Sequence, residues 1–235
     1  MKIDQEVEKL ICDAAGVAND VGVTAFVIDE EGIRGMDEGK LIFMLRESFD
    51  LEVPFASLAI GDTAQFIQRY NIHKTNDGSE LILEVDKDDK AKVISMKSKG
   101  LNIDFRCIKP ERIRAPKKLD DVEYCAFELP DAAIDMIKKG STTMKAEEVL
   151  FVKEEDSDSV YLEMVDINRS SFKYDIDGFV EPVNPKKRCS FAKRYPVKTI
   201  LMALRNSDNN HLLIGEKGSL TICKNQIDII IAPRV

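Results

Sequence analysis

The residue types that most often carry out catalysis are scarce in this chain, and they are not grouped. Its two histidines, His73 and His211, lie 138 positions apart, so a histidine-based metal site is not expected. The sequence contains no phosphate-binding loop, zinc-protease or serine-hydrolase signature. Residues 175–178 resemble part of a calcium loop but lack the remaining ligands. The sequence therefore predicts no catalytic residue, no bound metal and no cofactor.

Charged side chains are common, and the two signs are separated along the chain. The net charge of −8 is unfavourable for binding nucleic acid. Acidic residues, however, concentrate in predicted turns at 29–31, 86–90 and 154–156, whereas basic residues cluster at 112–118 and 186–194. This pattern is compatible with an acidic exterior that carries a basic strip. We interpret the acidic clusters as solvated turns, with a metal or general-base role as the alternative.

Composition indicates a folded protein without a membrane segment. Of the 235 residues, 44% are apolar and 32% are charged, and nothing approaches 18 consecutive apolar residues. The first residues lack the apolar core of a signal peptide, so we expect a protein that is not exported. The cysteines form no C-x-x-C pair, which is typical of reduced thiols in an intracellular protein. They are Cys12, Cys107, Cys125, Cys189 and Cys223.

Apolar periodicity predicts four short helices. The stripe from Ile3 to Ala14 has helical spacing. Asp62 is a suitable N-cap for the second helix, and Gly140 is a suitable stop for the third. The predicted helices cover about residues 4–15, 63–70 and 131–139, and the fourth begins at Pro196.

The segments between the helices have the pattern of strands, and their order repeats. One helix and several strands are followed by a second helix and more strands, and the whole series then recurs. Because helices are absent between most strands, the sequence favours an α+β fold of antiparallel sheets with helices on one face. The predicted strands are 23–28, 33–36, 40–45, 49–53, 80–85, 91–96, 101–107, 149–152, 160–165, 171–175, 211–215, 219–223 and 227–232.

A basic segment with two prolines separates the two halves. Pro110 and Pro116 make residues 108–120 an extended connector rather than a core element. We therefore predict two similar domains, 1–116 and 117–235, with the connector at about 108–120.

Each predicted helix carries at least one basic residue on its outward face or directly beside it. Taken singly, such residues are ordinary solvated side chains. Their recurrence on every helix favours a common surface that meets phosphates without reading sequence.

Three segments of the chain resemble the DNA polymerase sliding clamps of the proliferating cell nuclear antigen and T4-type phage kind. Residues 26–37 are similar to the strand-turn-strand of that family, which ends in Met-Asp. Residues 218–235 resemble its last hairpin and terminal Ala-Pro. Residues 101–118, followed by 127–129, match its final strand of domain one, its connector and the opening of domain two.

The resemblance implies a homotrimeric ring of the DNA-clamp fold, lined by the short helices and threaded by duplex DNA. It implies a non-enzymatic processivity factor, loaded by an ATP-driven clamp loader, that tethers a DNA polymerase. Such a protein is intracellular and DNA-associated, in cytoplasm or nucleoid, or in the nucleus of a eukaryote. The predicted DNA-facing residues are Lys9, Arg69, Lys74, Lys138, Lys139, Lys193, Arg194, Lys198 and Arg205.

The resemblance also implies a pocket for the peptides of polymerases and other clamp-binding proteins. Ring closure would pair an edge strand near 101–107 with one near 170–175 of a neighbouring chain, which hides two sheet edges. The residues at the matching pocket positions are Met36, Lys40, Leu41, Phe43, Ile113, Ile230, Ala232 and Pro233.

Two alternatives remain open. The chain is either a homotrimeric clamp or, keeping the same fold, one subunit of a heterotrimer or a monomeric polymerase accessory subunit. An enzyme of another class, a metal-dependent nuclease, would need carboxylates that converge on one cleft, and their spacing does not favour this.

Overall fold

The computed structural model describes residues 1–113, 115–116, 118, 120–157, 159–166, 168–176, 180–184, 189–205, 207 and 209–234. Parts of four sequence predictions lie outside the described residues: Arg114, Lys117 and Leu119 of the connector, 186–188 of the second basic run, 177–178 of the fragment like a calcium loop, and Val235 of the C-terminal segment. The contacts divide the chain into two units. The first unit is 1–118 with 225–227, and the second is 119–224 with 228–235.

The first unit contains two α-helices, a short 3-10 helix and two antiparallel sheets among its described residues. The 3-10 helix, Pro110–Arg112, lies in the connector, which is therefore not extended throughout as the sequence predicted. The strand order is β4-β1-β2-β3 in one sheet and β5-β6-β7 in the other. The elements are α1 (Gln5–Val21), β1 (Phe26–Asp29), β2 (Gly32–Met36), β3 (Ile42–Arg46), β4 (Ser57–Ile60), α2 (Thr63–Lys74), β5 (Glu80–Val85), β6 (Ala91–Ser98) and β7 (Leu101–Arg106).

Helix α1 is longer than the sequence predicted. It begins where the Asp4 carboxylate accepts a 2.8 Å hydrogen bond from the Val7 amide. The predicted end near residue 15 is wrong, because Val17, Ala18 and Val21 continue the buried face for another turn and a half. Gly22, with φ of 80°, ends the helix in the left-handed conformation that glycine adopts without strain.

Helix α2 packs beside α1 and against β7. The Asp62 carboxylate accepts a 2.8 Å hydrogen bond from the Gln65 amide, so the predicted N-cap is confirmed. Phe66 is fully buried, and its ring meets that of Phe105 edge to face, with centroids 5.2 Å apart. The helix continues to Lys74, four residues beyond the predicted end.

The strand predicted at 49–53 is wrong. Leu51 and Val53 are only half-buried, and this segment pairs with no neighbour among the described residues. The strand that completes the sheet is β4, which pairs antiparallel with β1. All four residues of β4 are buried, so its run lacks the alternation that marks a half-exposed strand.

The second unit repeats this architecture among its described residues. The strand order is β11-β10-β9-β13 in one sheet and β12-β8-β14-β15-β16 in the other. The elements are β8 (Glu123–Glu128), α3 (Asp131–Thr143), β9 (Glu148–Lys153), β10 (Val160–Val165), β11 (Ser171–Ile176), β12 (Val180–Pro182), β13 (Phe191–Pro196), α4 (Val197–Leu204), β14 (His211–Gly215), β15 (Leu220–Lys224) and β16 (Ile227–Ile231).

Gly140 does not stop helix α3, as the sequence predicted, but lies buried inside it. A Cβ atom at this position would lie 2.6 Å from the Met164 sulfur and 2.9 Å from the Phe172 ring. The missing side chain therefore lets α3 pack closely on β10 and β11. Helix α4 begins after Pro196, which has extended backbone at the N-cap position.

The fold is therefore α+β, with antiparallel sheets and a pair of neighbouring helices in each unit. Within the described residues, no helix is long and apolar enough to cross a membrane. Strand positions matched the sequence prediction closely at β5, β10 and β14, where the apolar pattern is clear.

Candidate nucleic-acid and partner surfaces

The basic residues of the first helix pair are largely engaged in contacts within their own unit. Lys9 is exposed on α1. The Lys74 ammonium lies 2.5 Å from the Glu8 carboxylate and 5.6 Å from the centre of the Tyr70 ring. This surface of the first unit therefore combines a lysine with a neutralising acid.

Arg69 of α2 contacts β7, which is an edge strand in the same unit. Its guanidinium donates a 2.8 Å hydrogen bond to the main-chain oxygen of Asp104 and lies 5.7 Å from the centre of the Phe105 ring. Sequence reasoning missed this contact because the partners lie 35 positions apart along the chain. No local signal predicts it, since it depends on how α2 packs against β7.

A polar cluster stands between α1 and α2. The Tyr70 hydroxyl donates a 2.8 Å hydrogen bond to the Glu8 carboxylate. Burial raises the pKa of the Cys12 thiol to about 12, although a hydrogen bond with Tyr70 opposes the rise. Cys12 is thus a protonated thiol at neutral pH and not a nucleophile. The cluster borders a cavity of about 510 Å³ whose lining includes Lys2, Lys9, Lys74, Asp13 and Glu80.

His73, at the end of α2, is fully buried. Neither ring nitrogen has a hydrogen-bond partner among the described residues. Burial lowers the pKa of this imidazole below its ordinary value, so the neutral form occupies the core at neutral pH.

The basic residues of the second helix pair are more available. Lys139 of α3 and Lys198 of α4 are exposed and make no ion pair with another described residue. Lys138 is exposed and lies 3.2 Å from Asp135 in an i,i+3 pair that is open to solvent. Arg205, at the end of α4, is also exposed.

Lys193 and Arg194 belong to strand β13 rather than to the helix that follows. Successive side chains of a strand point to opposite faces, so the two cannot serve one surface. The aliphatic part of Lys193 packs near Gly218, while Arg194 lies 3.9 Å from Glu148 on the other face. Glu148 also accepts a 2.8 Å hydrogen bond from Arg234.

A second cavity, of about 240 Å³, lies in the second unit and is lined by Glu147, Glu148, Glu163 and Asp166 together with Lys145, Leu150, Val165 and Arg194. Two of its carboxylates are engaged already: Glu148 with arginine, and Asp166 with the amides of its own turn. Across the described parts of the chain, no group of three or more His, Cys, Asp or Glu side chains is placed to hold a metal ion.

The predicted pocket residues of the first unit form a strand pair and its turn. Met36 and Phe43 are opposite each other on β2 and β3, and both are half-buried. The turn is held by Asp37, whose carboxylate accepts 2.7 Å hydrogen bonds from the amides of Leu41 and Ile42. Leu41 is 36% exposed. The remaining predicted residues here are Lys40, which is exposed, and Ile113, which is half-buried.

The predicted pocket residues of the second unit lie at its C-terminal end. Ile230 is only 3% exposed and belongs to the core at β16. Ala232 and Pro233 follow that strand and are half-buried. Of these three positions, Ala232 and Pro233 present surface.

Solved structures of sliding clamps have the same fold as this chain, although no protein-family model matches it. The Proliferating Cellular Nuclear Antigen of Entamoeba histolytica is 15% identical with a TM-score of 0.64, covering 96% of this chain and 95% of that one. A PCNA2-PCNA3 complex from Sulfolobus tokodaii is 17% identical with a TM-score of 0.62, covering 95% and 96%. A protein of Eubacterium rectale ATCC 33656, assigned as a DNA polymerase III beta subunit, is 11% identical with a TM-score of 0.65. The alignment with it covers all of this chain and 65% of that one. The chain therefore has the DNA-clamp fold that the sequence resemblance predicted.

Proposed function

We propose that this protein is a DNA sliding clamp, a ring-shaped processivity factor that encircles duplex DNA and tethers a replicative polymerase. In this proposal three copies form the ring, a clamp loader places it on DNA, and the chain itself catalyses no reaction. It acts inside the cell wherever the DNA is replicated.

The observation that carries the proposal is the duplicated helix pair in a clamp fold. Each unit brings two helices together, and the second pair exposes Lys139 and Lys198 without a neutralising partner among the described residues. Lysines that contact phosphates alone bind DNA without sequence preference, which leaves a ring free to slide. The clamp-fold neighbours, which align over nearly their whole length, support the same function.

The overall charge is compatible with this proposal. Although the chain carries a net charge of −8, screening limits surface electrostatics to about 8 Å at physiological salt. A local basic surface can therefore attract phosphates while the rest of the protein remains acidic.

Mass in solution tests the ring directly. We expect light scattering to give three times the 26.5 kDa of one chain at micromolar concentration. A protein that keeps the mass of one chain across that range does not form the homotrimer.

DNA topology tests encirclement. After loading onto nicked circular plasmid by a clamp loader from the same cell with ATP, a ring that encloses DNA is retained, and it is lost when the plasmid is cut once, because a sliding ring leaves through the ends. Equal retention on circular and linear forms of the same plasmid would indicate ordinary surface binding.

A clamp-fold subunit of a heterotrimer is the second candidate. One of the neighbours is a complex of two different clamp chains, PCNA2 and PCNA3. In that case the purified chain stays monomeric, and mixing it with candidate clamp subunits from the same cell produces the higher mass.

We further propose that polymerases and other clamp-binding proteins dock through a peptide at the surface that includes Met36, Leu41 and Phe43. Two of these side chains are half-buried and one is exposed, so they offer apolar area without belonging fully to the core. Replacing Leu41 by Glu is expected to weaken peptide binding while leaving the mass in solution unchanged.

A further inference from the structure

Among the described residues, no strand pairs with the outer edge of β7, which is formed by Asn102, Asp104 and Arg106. The Cys107 amide donates a 2.8 Å hydrogen bond to the Lys92 oxygen, so odd-numbered residues of this strand turn their main-chain groups toward β6. In an antiparallel pair these groups alternate in direction. The even-numbered residues therefore present their N–H and C=O groups to the open side of the sheet.

Arg69 closes this edge at its centre. The oxygen that its guanidinium contacts, at 2.8 Å, is the main-chain oxygen of Asp104. The Asp104 carboxylate remains exposed and accepts a 2.6 Å hydrogen bond from the Ser95 hydroxyl. An open strand edge tends to pair with another chain, and a charged side chain laid across it discourages that pairing.

Strand β11 likewise pairs on one side only within the part of the chain that the structure describes. The Asp166 amide donates a 2.9 Å hydrogen bond to the Ser170 oxygen, so even-numbered residues of β11 face β10. By the same alternation, Ser171, Lys173 and Asp175 present their main-chain groups to the open side. Each edge thus offers three residues in alternate positions.

We propose that Arg69 is a removable cap on β7, and that Lys173 of a second copy takes its place. In the proposed ring, β11 of a second copy pairs antiparallel with β7, as the resemblance to sliding clamps implies, and in the register proposed here Asp104 lies opposite Lys173. The Lys173 amide then donates to the Asp104 oxygen that Arg69 occupies in the single chain, and the Lys173 ammonium meets the Asp104 carboxylate.

The alternation of hydrogen bonds allows registers that differ by two residues, and the charges of the facing side chains favour this one. With Asp104 opposite Lys173, the other outward pairs are Arg106 with Ser171 and Asn102 with Asp175, which contain no like charges. Like charges directly opposite each other in a sheet are destabilising.

The two neighbouring registers are less favourable. A shift of two residues in one direction sets Asp104 opposite Asp175 and Arg106 opposite Lys173, which are two repulsive pairs. A shift in the other direction sets Arg106 opposite Arg169 and leaves Asp104 opposite an uncharged serine.

The same register also continues the apolar layer. It sets Phe105 opposite Phe172 and Ile103 opposite Tyr174, and all four side chains are buried or half-buried in the single chain. Phe105 packs against α2, and Phe172 lies beside Gly140 of α3. The joined sheet would therefore carry helices of both copies on one face, which a ring lined by helices requires.

This inference rests on the proposed homotrimer and specifies its contact. Lys173→Glu distinguishes the three registers because it changes the strength of self-association differently in each of them. In the proposed register it weakens self-association on the order of tenfold, since an attractive pair becomes a repulsive one. In the shifted register that places residue 173 opposite Arg106, the glutamate would strengthen association. In the register that places it opposite Asn102, association would be nearly unchanged. Either of those results overturns the register.

Two further variants complete the test by analytical ultracentrifugation. Asp104→Lys combined with Lys173→Glu exchanges the charges and is expected to restore association to within about threefold of the wild type. Arg69→Met keeps the aliphatic stem over Phe105 but removes the cap, and is expected to strengthen association by about two- to tenfold.

The outcomes distinguish this inference from the proposed function. A wild-type chain that assembles, with no rescue by the charge exchange, overturns the register alone. An Arg69→Met variant that associates no better than the wild type overturns the cap. A chain that stays monomeric both as wild type and as Arg69→Met overturns the homotrimer together with this contact.

Discussion

The two helix pairs have the same place in the duplicated architecture but use their basic residues differently. In the first unit, Lys74 is paired with Glu8, and Arg69 is bound to the edge of β7. In the second unit, Lys139 and Lys198 are exposed and unpaired within the described chain. The two units therefore resemble each other more closely in the arrangement of their helices than in the electrostatics of the helix surfaces.

This difference predicts an unequal contribution to DNA binding. A lysine that already neutralises a carboxylate has less to gain from a phosphate than one that faces only water. We therefore expect the second helix pair to carry most of the phosphate contacts.

The largest expected effect is on DNA retention. Lys139→Gln with Lys198→Gln removes up to six phosphate contacts from a trimer, and we expect affinity for nicked circular DNA to fall by about ten- to a hundredfold at physiological salt. Lys9→Gln with Lys74→Gln should reduce it by less than about threefold, because Lys74 is already paired with Glu8 and Lys9 lies among the acidic residues of α1. Titrations at several salt concentrations measure both.

The matched control uses two exposed lysines in strand turns of the first unit, Lys87→Gln with Lys99→Gln. This variant has the same change in net charge, so any general electrostatic effect appears in it. If the two helix variants lose affinity equally, the second pair has no special role.

The next effect contrasts two helix glycines. Gly140→Ala brings a Cβ atom to 2.6 Å from the Met164 sulfur and 2.9 Å from the Phe172 ring. The overpacking costs about 1–3 kcal/mol and the better helix propensity of alanine returns roughly 1 kcal/mol, so we expect the free energy of unfolding to fall by about 1 kcal/mol. At Gly16 of α1, a Cβ atom would meet no atom within 4 Å apart from the neighbouring backbone of its own helix, so Gly16→Ala should raise the free energy of unfolding by about 0.5–1 kcal/mol. Urea denaturation measures both, and effects of the same sign would contradict the difference in packing.

The smallest effect is a pH dependence that belongs to the first unit. Because the pKa of His73 is lowered in the folded protein from 6.5, the unfolded chain takes up the proton first as the pH falls. Stability is therefore complete above pH 6.5 and decreases below it, by at most about 1.4 kcal/mol per pH unit.

His73→Leu removes this titration, so the stability difference between pH 7.5 and 5.5 should be smaller than in the wild type. His211→Gln is the control, because His211 is exposed in the second unit. Thermal unfolding across this pH range compares the three proteins. An unchanged slope in His73→Leu would show that other groups cause the acid sensitivity.

The sequence predicted the elements best where a single face is buried. Strand β10 alternates between buried side chains and side chains that are half-buried or exposed, and both of its ends were predicted correctly. Strand β4 was missed because every residue in it is buried, which removes the alternation. Gly140 was misjudged as a helix stop because the close approach of Met164 and Phe172 comes from strands that are distant in sequence.

For the candidate surfaces, the sequence predicted which residues and which elements are involved. It did not predict which of these side chains are free to contact a partner. Helical position correctly indicated that Lys139 and Lys198 would be exposed. It also suggested Arg69, whose partner Asp104 comes from another element, and the family resemblance suggested Ile230, which is only 3% exposed. Helix spacing reports which way a side chain leaves its own helix, but it carries no information about the neighbouring strand.

Local patterns along the chain were sufficient to establish an α+β fold with a repeated unit, since apolar periodicity and turn residues act within a few positions. They also established the absence of a recognisable catalytic motif from the sequence. Only the tertiary structure decided which side chains meet. It determined which lysines remain free to contact phosphate, where Arg69 binds the edge of β7, and that a neighbouring strand packs against Gly140. The physical reason is that a charge or a cavity is defined by what surrounds it, and those groups come from segments that meet only after folding.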